Sequence, residues 1–188
     1  LKERLSGRLG VSQDSLIFGN GSNEIIELLV RAFIKEGDEV VMADPSFAVY
    51  PIAVKSVGAI STLVPLKDMR HDLKAMAEAI TPRTRVVFIA NPNNPTGTIV
   101  SADELERFMK DVPDDVIVCI DEAYCEFVED REYPDSLKYL SGTKPVLVLR
   151  TFSKIYGLAG ARIGYGIAHP ELIGYLGRVR QPFNVNSL

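Results

Sequence analysis

Short runs rich in Val and Ile alternate with helical patterns along the whole chain, and this alternation limits the possible folds more than any other feature of the sequence. A strand that is apolar at nearly every position must be buried on both faces, and parallel strands need crossover helices to provide that cover. The pattern predicts an α/β protein, a three-layer α/β/α sandwich around a seven-stranded, mostly parallel sheet. Strands are expected at 16–18, 39–43, 60–64, 85–90, 116–120, 146–150 and 163–168, and helices at 23–35, 47–57, 72–79, 102–110 and 171–180. Gly37 suits a C-terminal stop for the first of these helices, and Ser101 with Glu104 suits a capping box for the fourth. The connection into 163–168 is too short for a crossover helix, so this strand is expected to run antiparallel to the rest.

With 188 residues, 46% of them hydrophobic, the chain can bury one substantial core, which favours one large domain over two. A net charge of -4 without a dense basic run argues against nucleic acid as the main ligand. The longest apolar runs are about five to seven residues, well short of a membrane span, so a soluble cytoplasmic protein is expected. Cys119 and Cys125 stand apart from any His or Cys cluster and read as structural, with no metal site implied. The sequence opens on Leu1-Lys-Glu-Arg-Leu and stops at Asn186-Ser-Leu188, which suggests a piece of a longer protein.

The chemistry is concentrated where predicted strands end. After 16–18 comes Gly19-Asn-Gly-Ser-Asn-Glu24 and then a helix. A glycine turn feeding a helix N-terminus offers free N–H groups and the positive dipole end to a phosphate, although Asn20-Gly21 fits a tight turn and Ser22 or Asn23 a plain N-cap equally well. The strand 85–90 ends in Asn91-Pro-Asn-Asn-Pro-Thr-Gly97, where two prolines forbid further pairing and set the Asn94 amide on a rigid platform. The apolar run Val116–Ile120 leads straight into Asp121-Glu-Ala-Tyr124. A carboxylate at the end of a buried strand is costly without a positive partner, which a protonated pyridine nitrogen would supply; a helix N-cap aspartate is the alternative. After Val146-Leu-Val-Leu149 comes Thr151-Phe-Ser-Lys154, with Arg162 eight residues beyond the lysine. The Lys154 amine could form a Schiff base with an aldehyde, and the Arg162 fork suits a phosphate flanked by the hydroxyls of Thr151 and Ser153. Phe47, in Asp44-Pro-Ser-Phe-Ala-Val-Tyr50, suits either core packing or stacking on a flat ring.

Asn94 in Asn-Pro-Thr-Gly, Asp121 in Asp-Glu-Ala-Tyr, Lys154 in Ser-Lys and Arg162 eight residues on together resemble the fold-type I aminotransferases that use pyridoxal 5'-phosphate. Within that family, Ala43–Tyr50, Asp121–Phe127 and Arg180-Gln-Pro-Phe-Asn-Val-Asn-Ser-Leu188 resemble the histidinol-phosphate aminotransferase branch. The resemblance implies that residues 1–188 are the cofactor-binding large domain, and that an N-terminal arm and a C-terminal small domain lie outside this sequence. It implies Lys154 as Schiff-base nucleophile and proton carrier, and Asp121 as partner of the pyridine nitrogen. Tyr124 and Asn94 would bind the ring oxygen and Phe47 would stack on the ring, although phenylalanine lacks the hydroxyl often found at that place. Ser22, Asn23, Thr151, Ser153 and Arg162 would hold the phosphate. It further implies a homodimer that moves an amino group between histidinol phosphate and 2-oxoglutarate, with glutamate as the product of the latter, in histidine biosynthesis. A threonine-phosphate decarboxylase would keep the same cofactor residues, and a non-catalytic regulator domain would need a basic winged-helix segment, which this sequence lacks.

Overall fold

The computed structural model describes residues 1–187. Leu188, the last residue of the Arg180–Leu188 motif, lies outside the described residues. The strands are β1 (Leu16–Asn20), β2 (Glu39–Asp44), β3 (Ile60–Pro65), β4 (Thr84–Ala90), β5 (Ile117–Asp121), β6 (Val146–Thr151) and β7 (Ile163–Ala168). They form one sheet in the order β1-β7-β6-β5-β4-β2-β3. Only β7 runs against its neighbours, pairing antiparallel with both β1 and β6. The sheet expected from the sequence is therefore present, with strand ends moved by no more than two residues.

The helices are α1 (Lys2–Leu9), α2 (Gly21–Phe33), α3 (Val49–Ser56), α4 (Leu73–Glu78), α5 (Ala102–Asp111) and α6 (Pro170–Val179). Side-chain alternation along the strands divides the interior into two layers. Val40, Met42, Val86, Phe88, Ala90, Leu147 and Leu149 face one way and pack with Ile25 and Leu29 of α2, Tyr50 of α3 and Leu176 of α6. Val41, Ala43, Val87, Ile89, Val146 and Val148 face the other way and pack with Leu5 of α1, Met76 of α4 and Phe108 of α5. The result is the three-layer sandwich. Cys119 is fully buried in the first layer, where desolvation pushes its thiol well above the usual range. No helix among the described residues is long and apolar enough to cross a membrane.

Three local features differ from expectation. α1 was not anticipated because its eight residues are mostly polar; only Leu5 is buried, and the signal was the Leu1, Leu5, Leu9 spacing followed by Gly10 in the left-handed conformation. α2 starts two residues early and ends at Phe33, because Ile34 turns extended to enter the core. Gly37 is therefore not the helix stop: at φ 82° it serves the turn into β2, where Asp38 accepts from the Lys35 N–H at 3.0 Å. The capping box at α5 forms as expected, with Ser101 and Glu104 each accepting from the other's backbone.

Candidate active site

The strand period sets the site. Ala90 pairs with Asp121 in the β4–β5 register, and Asp121 pairs with Leu149 in the β5–β6 register. Asp121 follows Ile117 and Cys119 in the layer covered by α2 and α3, and Thr151 follows Leu147 and Leu149 in that layer. The C-terminal ends of three adjacent strands thus present side chains into one crevice, where open α/β sheets carry their ligands. A cavity of about 230 Å³ opens there. Its lining includes all ten residues singled out from the sequence: Ser22, Asn23, Phe47, Asn94, Asp121, Tyr124, Thr151, Ser153, Lys154 and Arg162.

One end of the cavity is the start of α2. No side chain caps its first turn, and Glu24 turns back to accept from the Asn20 N–H at 2.6 Å. The Gly21 N–H donates to the Arg162 carbonyl at 2.8 Å, which brings Arg162 to the helix start. Arg162 has a left-handed backbone, φ 53°, and its Nη1 donates to the Ala159 carbonyl at 3.1 Å. Glycines make this closeness possible. A Cβ on Gly21 would stand 2.6 Å from the Arg162 guanidinium, and one on Gly164 of β7 would stand 2.1 Å from the Ser22 nitrogen. The Thr151 hydroxyl accepts from the Ser153 N–H at 3.1 Å and lies 3.0 Å from the Ser153 hydroxyl, which fixes both near the same end. Asn184, from the C-terminal motif, donates to Glu24 at 2.7 Å and to the Phe18 carbonyl at 3.1 Å, tying the chain beneath the helix start. N–H groups at a helix start, hydroxyls and a guanidinium are groups whose chemistry suits an anion.

The other end is buried. Asp121 Oδ1 accepts from the Ala123 N–H at 3.1 Å, and Oδ2 accepts from the Tyr50 hydroxyl at 2.9 Å. Burial raises the Asp121 pKa to about 6, opposed by these two hydrogen bonds. The chain after β5 forms a short 3₁₀ turn, Cys125–Phe127, so Asp121 is not the N-cap of an α-helix. Glu122, 1% exposed, points elsewhere and pairs with Arg150, whose Nε and Nη2 both reach its Oε2 at 2.8 Å.

The asparagine platform divides its work. Asn91 is fully buried and grips the Val100 backbone from both amide atoms, at 3.0 and 3.2 Å. Asn93 accepts from Ser46 at 2.8 Å and lies 3.1 Å from His71 Nε2, while its amide donates to Thr96 at 2.9 Å. With its two neighbours holding the loop, Asn94 is the one of the three that lines the cavity. Lys154 is exposed, with Nζ 5.0 Å from the centre of the Tyr124 ring. A wider groove of about 730 Å³ adjoins the site, shares Pro92, Asn94 and Tyr124 with it, and carries Glu129, Asp130 and Glu132.

Sequence reasoning missed Tyr50. The Asp44–Tyr50 motif contains it, but the helical pattern of α3 marks it only as a core position, and its contact with Asp121 spans 71 residues of sequence.

This construction is that of an α/β fold with a cavity at the C-terminal edge of its sheet, one end of it at a helix start. The family model for aminotransferase class I and II matches residues 1–188, and the chain belongs to that family. A histidinol-phosphate aminotransferase of Moorella thermoacetica is 56% identical over 189 residues, covering 100% of this chain and 49% of that protein. The crystal structure of histidinol-phosphate aminotransferase from Sinorhizobium meliloti in complex with pyridoxal-5'-phosphate superposes with a TM-score of 0.90 at 31% identity, covering 96% of this chain and 49% of that one. L-threonine-O-3-phosphate decarboxylase from Porphyromonas gingivalis gives a TM-score of 0.85 at 26% identity, covering 99% and 54%. The chain spans about half the length of the curated relatives it matches.

Proposed function

We propose that this chain is the cofactor-binding large domain of a pyridoxal-phosphate aminotransferase, and that the whole protein exchanges an amino group between histidinol phosphate and 2-oxoglutarate in histidine biosynthesis. The observation that carries the reading is the gathering of Lys154, Asp121, Tyr124, Asn94 and Arg162 on one cavity. Its two ends fit the cofactor: an uncapped helix start with a guanidinium suits the phosphate, and a buried carboxylate suits a protonated ring nitrogen.

Pyridoxal phosphate, when bound, supplies an aldehyde for Schiff-base formation and a ring that draws electrons away from the substrate's α-carbon. Lys154 Nζ would hold that aldehyde and, once released by substrate, carry the α-proton as base and then acid. The Asp121 carboxylate would hold the proton on the ring nitrogen, since a buried anion is best compensated by an adjacent positive charge. Tyr124 and Asn94 would donate to the ring oxygen, and Phe47 would cover a ring face. The Ser22 and Asn23 backbone N–H groups, the hydroxyls of Thr151 and Ser153, and Arg162 would hold the phosphate.

We place the working protein in the cytoplasm as a homodimer with further segments beyond this chain. Ile155, Tyr156 and Leu158 stand exposed just past Lys154, and Phe183 is 99% exposed, which leaves apolar surface that a partner or another domain would cover.

The test uses the full-length parent protein loaded with pyridoxal phosphate and given histidinol phosphate without any keto acid. Conversion of the cofactor to its pyridoxamine form, followed by absorbance, is the expected result. Release of carbon dioxide from threonine phosphate, with no such conversion, would instead assign the protein to the decarboxylases.

A further inference from the structure

Tyr50 lines the cavity but has no part in the chemistry above. It is 1% exposed, and its ring is held from two sides: stacked on Phe88 with centroids 4.5 Å apart and planes 5° apart, and edge-on to Phe47 at 5.5 Å and 87°. A ring so enclosed cannot swing, so the direction of its hydroxyl is set by packing. That hydroxyl lies 2.9 Å from Asp121 Oδ2, and both groups are buried. A carboxylate oxygen has two lone pairs, so the bonds from Tyr50 and Ala123 each leave one free on their own oxygen.

We propose that Tyr50 is a positioning residue, an obligatory donor that fixes the orientation of the Asp121 carboxylate and holds it ionised for the ring nitrogen. The inference rests on the cofactor reading above in its last clause only; the donor and acceptor are both in this chain. Burial and the neighbouring carboxylate raise the Tyr50 hydroxyl well above its ordinary range, so it stays protonated, and toward an ionised carboxylate, which has no proton to give, it donates. Donation to an ionised acceptor favours the ionised form, and the bond therefore opposes the burial that would otherwise neutralise Asp121. The other groups facing Asp121 cannot take over this task. Glu122 disfavours its charge, the Cys119 thiol is only a weak donor, the adjacent strands offer Ala90 and Leu149, and Lys154 acts only through space. The Tyr124 ring has Lys154 Nζ over it at 5.0 Å.

The test compares the full-length parent with Tyr50→Phe, which removes one oxygen and keeps the ring that packs on Phe88. With the protein free of cofactor, the Asp121 carboxyl carbon is followed by NMR through a pH titration, its signal assigned by its loss in Asp121→Asn. A hydrogen bond to a charged group is worth about 1.5–3 kcal/mol, so the midpoint should rise by roughly one to two pH units in Tyr50→Phe. An unmoved midpoint overturns the proposal, even if the variant melts at a lower temperature, because a packing role alone would not change the titration. If Tyr50→Phe does not fold, the unaltered protein decides. The ring carbon bearing the Tyr50 hydroxyl should shift with the same midpoint as Asp121, and a flat response overturns the proposal. Loading with nitrogen-15 pyridoxal phosphate then tests the last clause: the ring nitrogen should be less protonated in Tyr50→Phe at neutral pH. A moved midpoint in a protein that fails to bind the cofactor would keep the Tyr50 bond and refute the cofactor reading instead.

Discussion

At one end of the cavity backbone N–H groups, two hydroxyls and a guanidinium gather at a helix start, while at the other end a carboxylate is locked in the core. The anion end depends on what is missing: Gly21 and Gly164 have no Cβ, so the first turn of α2 can rest against β7 and Arg162 can reach it. The carboxylate end depends on what is enclosed: Asp121 sits under Tyr50, which sits on Phe88. Backbone donors are cheap to supply but need close approach, and a buried charge costs stability and needs partners. The two ends should therefore fail differently when altered.

The largest effect is expected at the anion end. Gly164→Ala would set a Cβ 2.1 Å from the Ser22 nitrogen and 2.5 Å from the Gly21 carbonyl carbon, both backbone atoms that cannot rotate away. The cost should exceed the roughly 1–3 kcal/mol usual for overpacking, read as a lower denaturation midpoint. Affinity for pyridoxal phosphate should fall by more than about tenfold, because the helix start must move. If stability and affinity were both unchanged, the close approach would not be what builds this end.

Asp121→Asn should act in the opposite direction on stability. The Asp121 pKa is about 6 in the fold against an ordinary 3.8, so the folded protein binds this proton more tightly than the unfolded chain does. Stability is therefore lost as pH rises from about 4 through about 6, by a total of ~3 kcal/mol. In the cofactor-free parent, Asp121→Asn should be more stable than the unaltered protein above pH ~6, with the advantage gone below pH ~4. The same variant should bind and activate pyridoxal phosphate poorly. Denaturation curves at several pH values check the sign, and a variant less stable at neutral pH would contradict the account of a charge buried at a cost.

How far each end was legible in the sequence follows from the same contrast. Lys154, Asp121 and Asn94 could be found because each closes an apolar run that announces a strand end, and Gly19–Glu24 because glycines before a helix are a local signal. The sheet was legible for the same reason, since its central strands β2, β4, β5 and β6 are buried on both faces and read as nearly unbroken apolar runs. Tyr50 was not, because its role comes from a contact across 71 residues that no local pattern encodes. α1 was missed because a short helix that buries only Leu5 has too little periodicity to stand out, and Gly37 was misassigned because burial of Ile34 ends α2 first.

Lys154, exposed beyond β6, would carry the chemistry set up between those two ends. The full-length parent loaded with pyridoxal phosphate should be reduced with borohydride, digested and mapped. The reduced cofactor should lie on Lys154 alone, with none fixed in Lys154→Ala, which should stay folded because this side chain is exposed. Cofactor fixed to a different lysine, or still fixed in Lys154→Ala, would contradict that role.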